Sequence, residues 1–183
     1  MARRHGVHAI SVRAVAAEAA TSPGALRHYF ATQDELLAFA LSSVAERVAE
    51  RVLAQLAQLH GPEGACWLLE QLLPLDEDRR LEGEVWLAFH GRSPGAPALQ
   101  AIREETDVRI LGAVRRAVEL LDEAGAVGSG RDLDAEARRL HALIDGLAVH
   151  GSALPEQHPP ASLLATVHQH VRELATPRHG LEG

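Results

Sequence analysis

The chain has 183 residues, of which 46% are hydrophobic and only 3% aromatic, and its formal net charge is −7. This length and apolar content suffice for a buried core, and a composition dominated by alanine and leucine favours helices over sheets. A single cysteine excludes an internal disulfide, and there is neither a signal peptide nor the run of about 18 apolar residues that a membrane span needs. We therefore expect a soluble, cytoplasmic, all-α protein that does not bind a membrane.

Three helix starts follow one another within residues 11–36. Ser11 is a candidate N-cap for a short first helix, and Ser22 is a candidate N-cap for a second helix, which follows a short break. Thr32 and Glu35 form a capping box that begins a third helix. The first two helices and their turn predict a helix-turn-helix, which places its second helix in the major groove of DNA.

The charge distribution agrees with DNA binding by this segment. Residues 1–30 contain four arginines and one glutamate, a net charge of +3, so the remainder of the chain carries −10. Basic charge is therefore concentrated where DNA contact is expected, while the acidic remainder would be repelled by the phosphates. Pattern and charge alone leave an ordinary helical hairpin with a charged, solvated face as the alternative.

Sequence motifs in the same segment point to a known family. Residues 19–22 read AATS, residues 24–30 read GALRHYF, and residues 31–37 read ATQDELL. They resemble the turn, the recognition helix and the next helix start of the tetracycline-repressor (TetR) family. The resemblance implies a transcriptional regulator, a repressor that binds a palindromic double-stranded DNA operator as a homodimer and is released by a small-molecule effector. The DNA contacts expected from it are Ser11, Arg13, Thr21, Ser22, Pro23, Gly24, Ala25, Arg27, His28, Tyr29 and Gln33.

The start of the chain departs from the family pattern. Family members begin with a helix of about four turns, whereas only residues 1–5 precede Gly6, which reads as the C-terminal stop of that helix. We therefore expect residues 1–32 to form a DNA-binding domain that is truncated at its N-terminus. Either the true start lies upstream or the domain is loosely folded. The alternative function is a helical, ligand-binding dimer that does not bind DNA.

After this domain, apolar residues recur at spacings of three and four and predict a helical body. We expect residues 33–176 to form an effector-binding and dimerisation domain and residues 177–183 to be a frayed tail. Prolines and glycines between the periodic segments mark the helix ends. The first four predicted helices span about 32–60, 63–73, 76–91 and 98–124. The fifth begins at Asp132 or Asp134 and continues to about residue 153, and the last spans about 162–175.

The few aromatic residues of the body suggest where a ligand would bind. Several of them cluster on two neighbouring predicted helices, where they could form the wall of an apolar cavity. An ordinary hydrophobic core is the alternative. The effector is expected to be small and largely apolar, although the acidic body could instead suit a cation. The predicted pocket residues are Trp67, Trp86, Phe89, His90 and Thr106.

The last two predicted helices each carry an apolar stripe that predicts a dimer interface. Two such hairpins can pair as a four-helix bundle, and helix-turn-helix proteins bind two half-sites. On pattern alone, stripes that cover the core of a single chain explain the sequence equally well. The segment LIDGLAVHG, with the proline linker and short amphipathic helix after it, resembles the choline-sensing branch of the family. The predicted interface residues are Leu140, Leu143, Ile144, Leu147, Gly151, Leu163, Val167, Val171 and Leu174.

The sequence contains no recognisable catalytic constellation, so we expect no enzyme activity and no cofactor. His141 and Asp145 lie four residues apart on one helical face, a spacing that suits metal ligands. Because no third ligand is evident, the sequence favours a helix-surface or interface pair, and no metal site is predicted.

Overall fold

The computed structural model describes residue 30 and residues 32–90 and 97–175. Within these ranges the chain forms α-helices and no strands, which confirms the predicted all-α fold class. The helices are α1 (Gln33–Leu53), α2 (Gly61–Glu70), α3 (Glu77–His90), α4 (Pro97–Glu123), α5 (Leu133–Ala153) and α6 (Pro160–Leu174). None of these helices is both long and apolar enough to cross a membrane.

Side-chain caps fix the starts of two helices where the sequence predicted them. Thr32 Oγ1 accepts a hydrogen bond of 3.1 Å from the backbone N–H of Glu35 at the start of α1. The Asp132 carboxylate accepts bonds of 3.0 and 3.1 Å from the backbone N–H groups of Asp134 and Ala135 at the start of α5. Each cap satisfies amides that have no partner within the helix. The Thr32 cap confirms the predicted start of α1, and the Asp132 cap decides between the two candidate starts of α5.

The helix that follows the capping box is shorter than predicted. It was expected to continue to residue 60, but α1 ends at Leu53 and a 3₁₀ turn, Leu56–Gln58, follows it. This turn brings Leu59 into the core, where only 8% of the residue is exposed. Gly61 then adopts a φ of +55° at the start of α2, a conformation that favours glycine. A continuous helix could not redirect the chain at this point, so burial of Leu59 outweighs the helical periodicity.

Two hydrophobic clusters form the core of the described residues. The larger cluster joins α2, α4, α5 and α6, and Leu68, Leu121 and Leu140 are fully buried in it. The smaller cluster joins the first half of α1 to α3 and the start of α4, around the fully buried Phe89. Between them, α1 packs on both α3 and α4. The first half of α1 and the larger helical body therefore have separate cores.

A buried carboxylate connects the start of α5 to the end of α6. Glu136 is 2% exposed and accepts hydrogen bonds from Arg131 Nη1 at 3.1 Å and Arg139 Nη1 at 2.9 Å. Arg131 Nη2 also donates to the backbone oxygen of Glu173 at 2.7 Å. Burial alone would raise the pKa of Glu136, but the two arginines favour the charged form and lower its pKa overall. Glu136 is therefore a structural carboxylate that is buried as an anion.

Candidate functional site

A cavity of about 610 Å³ lies among α1, α2, α3, α4 and α5. Its longest wall is one face of α1, where apolar residues recur at three- and four-residue spacings. This face, from Leu41 to Leu53, extends along about 18 Å of helix. The α1 residues that line the cavity are Leu41, Val44, Ala45, Val48, Ala49, Val52 and Leu53.

The remaining walls are also largely apolar. Leu72 and Pro74 come from the segment after α2, Ile110 and Ala113 from α4, and Ala148 from α5. Alanines on three helices leave the space open, because larger side chains at these positions would occupy it. Small-molecule sites in proteins typically have volumes of about 300–1,000 Å³ and mostly apolar walls. The size and lining of the cavity therefore suit a small apolar ligand.

A polar network borders the cavity near the end of α1. Arg51 Nη2 and Nη1 donate to Glu82 Oε2 and Oε1 at 3.0 and 3.3 Å, and Arg51 Nε donates to Gln71 Oε1 at 3.0 Å. Gln71 Nε2 donates to the backbone oxygen of Trp67 at 3.0 Å. Glu82 and Gln71 both line the cavity, and the Glu82 side chain is 11% exposed. The guanidinium of Arg51 therefore balances the carboxylate at this wall.

Three further arginines border the cavity, and each pairs with a carboxylate. Arg109 Nη2 lies 2.6 Å from Glu105 Oε1, one helical turn earlier in α4. Arg116 Nη1 lies 2.6 Å from Glu123 Oε1. The backbone N–H of Arg79 donates a hydrogen bond to the Asp76 carboxylate. This hydrogen bond is the main reason that the pKa of the Asp76 carboxyl is lowered. Hydrogen bonds to Glu123 and Glu119 favour the charged form of Arg116 and therefore raise its pKa. The charged groups at the rim therefore have ionic partners within the same chain.

The structure places some of the predicted pocket residues at the cavity and others in the hydrophobic cores. Trp86 and Thr106 line the cavity, whereas Trp67 packs against the larger core. Phe89 is fully buried in the smaller core, with the Arg103 guanidinium 5.3 Å from its ring centroid. The side chain of His90 lies outside the described residues. Of the aromatic residues that suggested a pocket, Trp86 is thus the one that the structure places at the cavity.

The α1 wall is what sequence reasoning missed. The apolar periodicity of this helix was recognised, but it was used to predict the helix and not a pocket. Ala45 and Ala49 were the residues that could have indicated a pocket. Two small side chains one turn apart, within a stripe of leucine and valine, leave space for a ligand. Periodicity shows that a helix face is apolar, but not whether a side chain or a ligand fills the space opposite it.

The predicted DNA contacts lie at residues 11–29 and at Gln33. Residues 11–29 and the side chain of Gln33 are outside the described residues. Phe30, at the end of this segment, packs against Phe39 of α1 with 5.2 Å between ring centroids. Phe30 therefore contacts the helix that forms the longest cavity wall.

The predicted dimer stripes face the core of the same chain. Leu143 and Leu147 are half-buried and pack against the larger core. The other seven residues are buried, and a side chain buried within one chain has no surface to offer a second copy. The structure thus places these residues in the core of the same chain. The buried residues are Leu140, Ile144, Gly151, Leu163, Val167, Val171 and Leu174.

Comparisons with known proteins identify the family of this chain. Residues 1–39 match the family described as "Bacterial regulatory proteins, tetR family". Residues 67–176, more than half of the chain, match "BetI-type transcriptional repressor, C-terminal". The chain belongs to the TetR family. It is therefore a transcriptional regulator and not an enzyme, and the matched N-terminal segment favours DNA binding over a ligand-binding dimer that lacks it.

Curated relatives of this TetR-family chain are also regulators. The HTH-type transcriptional regulator PksA of Bacillus subtilis is 36% identical over 170 residues, which cover 92% of this chain and 82% of PksA. The HTH-type transcriptional regulator BetI of Vibrio vulnificus is 26% identical over 157 residues, which cover 84% of this chain and 76% of BetI. The similarity thus extends over both the N-terminal segment and the helical body.

Solved structures show the same fold. A transcriptional regulator from Rhodococcus sp. Rha1 has a TM-score of 0.75 and 31% identity, with 94% of this chain and 89% of that chain covered. A putative transcriptional regulator from Saccharomonospora viridis, solved in complex with choline, also has a TM-score of 0.75, with 24% identity over 94% of this chain and 88% of that chain. The second likeness concerns the fold alone.

Proposed function

We propose that this TetR-family regulator is a repressor that binds a palindromic operator as a dimer and releases it when a small apolar molecule enters the cavity. The observation that supports this most directly is that α1 forms the longest cavity wall and also contacts Phe30, at the end of the DNA-binding segment. A ligand that binds one position of α1 better than another shifts the population toward that position. The spacing of the two DNA-binding segments then changes, and operator affinity falls.

The lining of the cavity favours an apolar effector. A quaternary ammonium ion is typically held by several aromatic rings. Among the described residues that line this cavity, Trp86 is the one aromatic residue, and the Glu82 carboxylate is already bonded to Arg51. A cation remains the second candidate, because the Saccharomonospora viridis neighbour was solved with choline. We therefore propose a small hydrophobic molecule with few polar groups.

The two tryptophans provide a matched test of the binding site. The chain contains two, of which Trp86 lines the cavity and Trp67 does not. In Trp67→Phe, the fluorescence of Trp86 should change when hydrophobic candidate ligands are titrated. In Trp86→Phe, the remaining fluorescence should stay nearly constant. Equal responses from the two variants would place the ligand outside this cavity.

Operator release tests the coupling separately. Fluorescence anisotropy of a labelled duplex from the upstream region should show binding by the full chain, with an affinity that falls steeply as salt is raised. A ligand identified by Trp86 fluorescence should then lower the anisotropy, and choline should not. Release by choline alone would favour the second candidate. Ligand binding without any change in operator affinity would refute the proposed coupling.

We propose that the DNA contacts are those expected from the family resemblance. Arg27 is the most informative of them, because an arginine that binds a guanine edge discriminates against other bases by about 1–3 kcal/mol. Arg27→Ala should relax the preference at one base of each half-site, whereas Tyr29→Phe should weaken binding to all sequences equally. If both changes lowered the affinity for all sequences equally, Arg27 would contact a phosphate and not a base.

We propose that the dimer forms through the outward faces of α5 and α6. Small and apolar residues on these faces, among them Ala142, Val149, Ala161 and Ala165, are exposed in the single chain. Small side chains let helices approach closely enough to pack as a four-helix bundle. Ala142→Glu and Ala165→Glu would bring a charge into that contact, so sedimentation should show monomers. A dimer that persists in both variants would exclude this surface.

A further inference from the structure

The packing of α4 against α5 brings three potential metal ligands together. His141 Nε2 lies 3.7 Å from Asp107 Oδ1 and 3.5 Å from Asp145 Oδ2. One ligand atom from each residue lies within 4.8 Å of the other two. His141 and Asp145 share one face of α5, and Asp107 faces them from α4. The third ligand that the sequence did not reveal is therefore supplied by the tertiary structure.

The imidazole nitrogen at the centre of this group lacks a hydrogen bond. His141 Nε2 is buried from solvent and has no hydrogen-bond partner. Its distances to the two carboxylate oxygens exceed the range of about 2.7–3.2 Å for N–H···O hydrogen bonds. Leaving a buried polar atom without a partner costs free energy, and a ligand that bonds to Nε2 would remove this cost.

The separations of the three side chains suit a metal ion. With ligand distances of about 2.0–2.2 Å, two ligand atoms in a tetrahedral zinc site are about 3.4 Å apart. The two measured separations from His141 Nε2, 3.5 and 3.7 Å, are close to this value. The ligand atoms of the two carboxylates lie within 4.8 Å of each other, so an ion between the three side chains would bond to Nε2 and to both carboxylates once the aspartate side chains adjust to it. Hydrogen bonding would instead require the carboxylates to move closer to the ring.

We propose that Asp107, His141 and Asp145 bind a divalent transition-metal ion of the zinc class. One imidazole nitrogen and two carboxylate oxygens suit Zn²⁺, whereas Mg²⁺ and Ca²⁺ prefer oxygen ligands alone. Three protein ligands leave a fourth position for water or another donor. The carboxylates are 54% and 39% exposed, so an ion can reach the site from solution. Asp145 also lines the cavity, so the ion would join α4 to α5 at the cavity wall.

Metal titration of the full chain tests this site without DNA or effector. After removal of metal with a chelator, Zn²⁺ alone should bind with a stoichiometry of one ion per chain in isothermal titration calorimetry. Co²⁺ should give the visible absorption of a four-coordinate site. Loss of a residue that merely supports a metal ligand typically weakens metal binding by about 10- to 100-fold, so replacing the ligands themselves in Asp107→Asn and His141→Gln should weaken it at least about tenfold.

His168→Gln is the matched control. His168 Nε2 lies 2.9 Å from Glu70 Oε1, so this histidine already has a direct partner, and its replacement should leave Zn²⁺ affinity unchanged. Asp107→Asn changes a half-exposed side chain, and circular dichroism will verify that the variant is folded. Absence of Zn²⁺ binding by the wild-type chain would overturn the proposal. So would equal affinities of the wild-type chain, Asp107→Asn and His141→Gln.

Discussion

Filling the cavity from α1 should stabilise the protein. Ala49 lines the cavity, and Ala49→Leu adds three carbon atoms to a helical position without a large change in helix propensity. Burial contributes about 0.8 kcal/mol per methylene, so the gain is at most about 2.4 kcal/mol. Because part of the new side chain would remain accessible through the cavity mouth, we expect between about 0.5 and 2 kcal/mol.

The same substitution elsewhere in the core should have the opposite sign. Ala117 is fully buried in α4 and does not line the cavity. Adding carbon atoms to a well-packed core costs about 1–3 kcal/mol, so Ala117→Leu should destabilise the protein. Urea denaturation followed by circular dichroism gives both free energies of unfolding. A similar destabilisation by Ala49→Leu would refute the cavity as an open space next to α1.

The functional consequence of filling the cavity can be measured on the same variant. Ala49→Leu should retain operator binding, because it does not touch the predicted DNA contacts, but it should no longer release the operator when the effector is added. Ala45→Leu, one turn earlier on the same cavity wall, should behave alike. Normal release by both variants would place the effector elsewhere.

Three further predictions concern stability. Glu136→Gln leaves two arginines without their buried counter-charge and should lower the free energy of unfolding by about 2–3 kcal/mol, measured by urea denaturation at neutral pH. Acidification should lower the free energy of unfolding in two steps. Burial lowers the pKa of His170, so stability should fall as the pH drops below about 6.5. The pKa of Glu136 is also lowered, so a second loss should follow below about pH 4. A His170→Gln variant should show the second step alone. Gly151→Ala would bring a Cβ within 2.7 Å of Leu163 Cδ1 and should cost about 1–3 kcal/mol, whereas Gly146→Ala meets nothing within 4 Å and should gain about 0.5–1 kcal/mol.

Local signals in the sequence located most of the described helices. The capping residues Thr32 and Asp132 were recognisable because a helix start depends on atoms within three residues of the cap. The predicted end of α4 near residue 124 is equally local, because Gly125 follows it with a φ of +67°. The start of α6 was placed two residues late, at Ser162, because Pro160 occupies the first helical position, where its missing N–H costs nothing. Elements determined by neighbouring residues are therefore the ones that sequence patterns predict best.

The partner of each helix face could not be predicted in the same way. The stripes of α5 and α6 were recognised as apolar, but periodicity alone could not separate a core from a dimer interface. In the structure, Val167 is fully buried within the chain. For the same reason, Asp107 was not recognised as a neighbour of His141, since the two residues meet only through the packing of α4 on α5. Long-range contacts require the folded chain.

The two halves of α1 suggest how occupancy of the cavity reaches the DNA-binding segment. At its C-terminal end, Arg51 fixes α1 to α3 through Glu82 and to the end of α2 through Gln71. Near its start, Phe39 is 59% exposed and contacts Phe30, outside the larger core. A ligand that pushes on the wall between these ends would tilt α1 about the fixed Arg51 end, so the displacement would increase toward Phe30. We propose that the polar network serves as the pivot, so that the start of α1, next to Phe30, moves more than its Arg51 end.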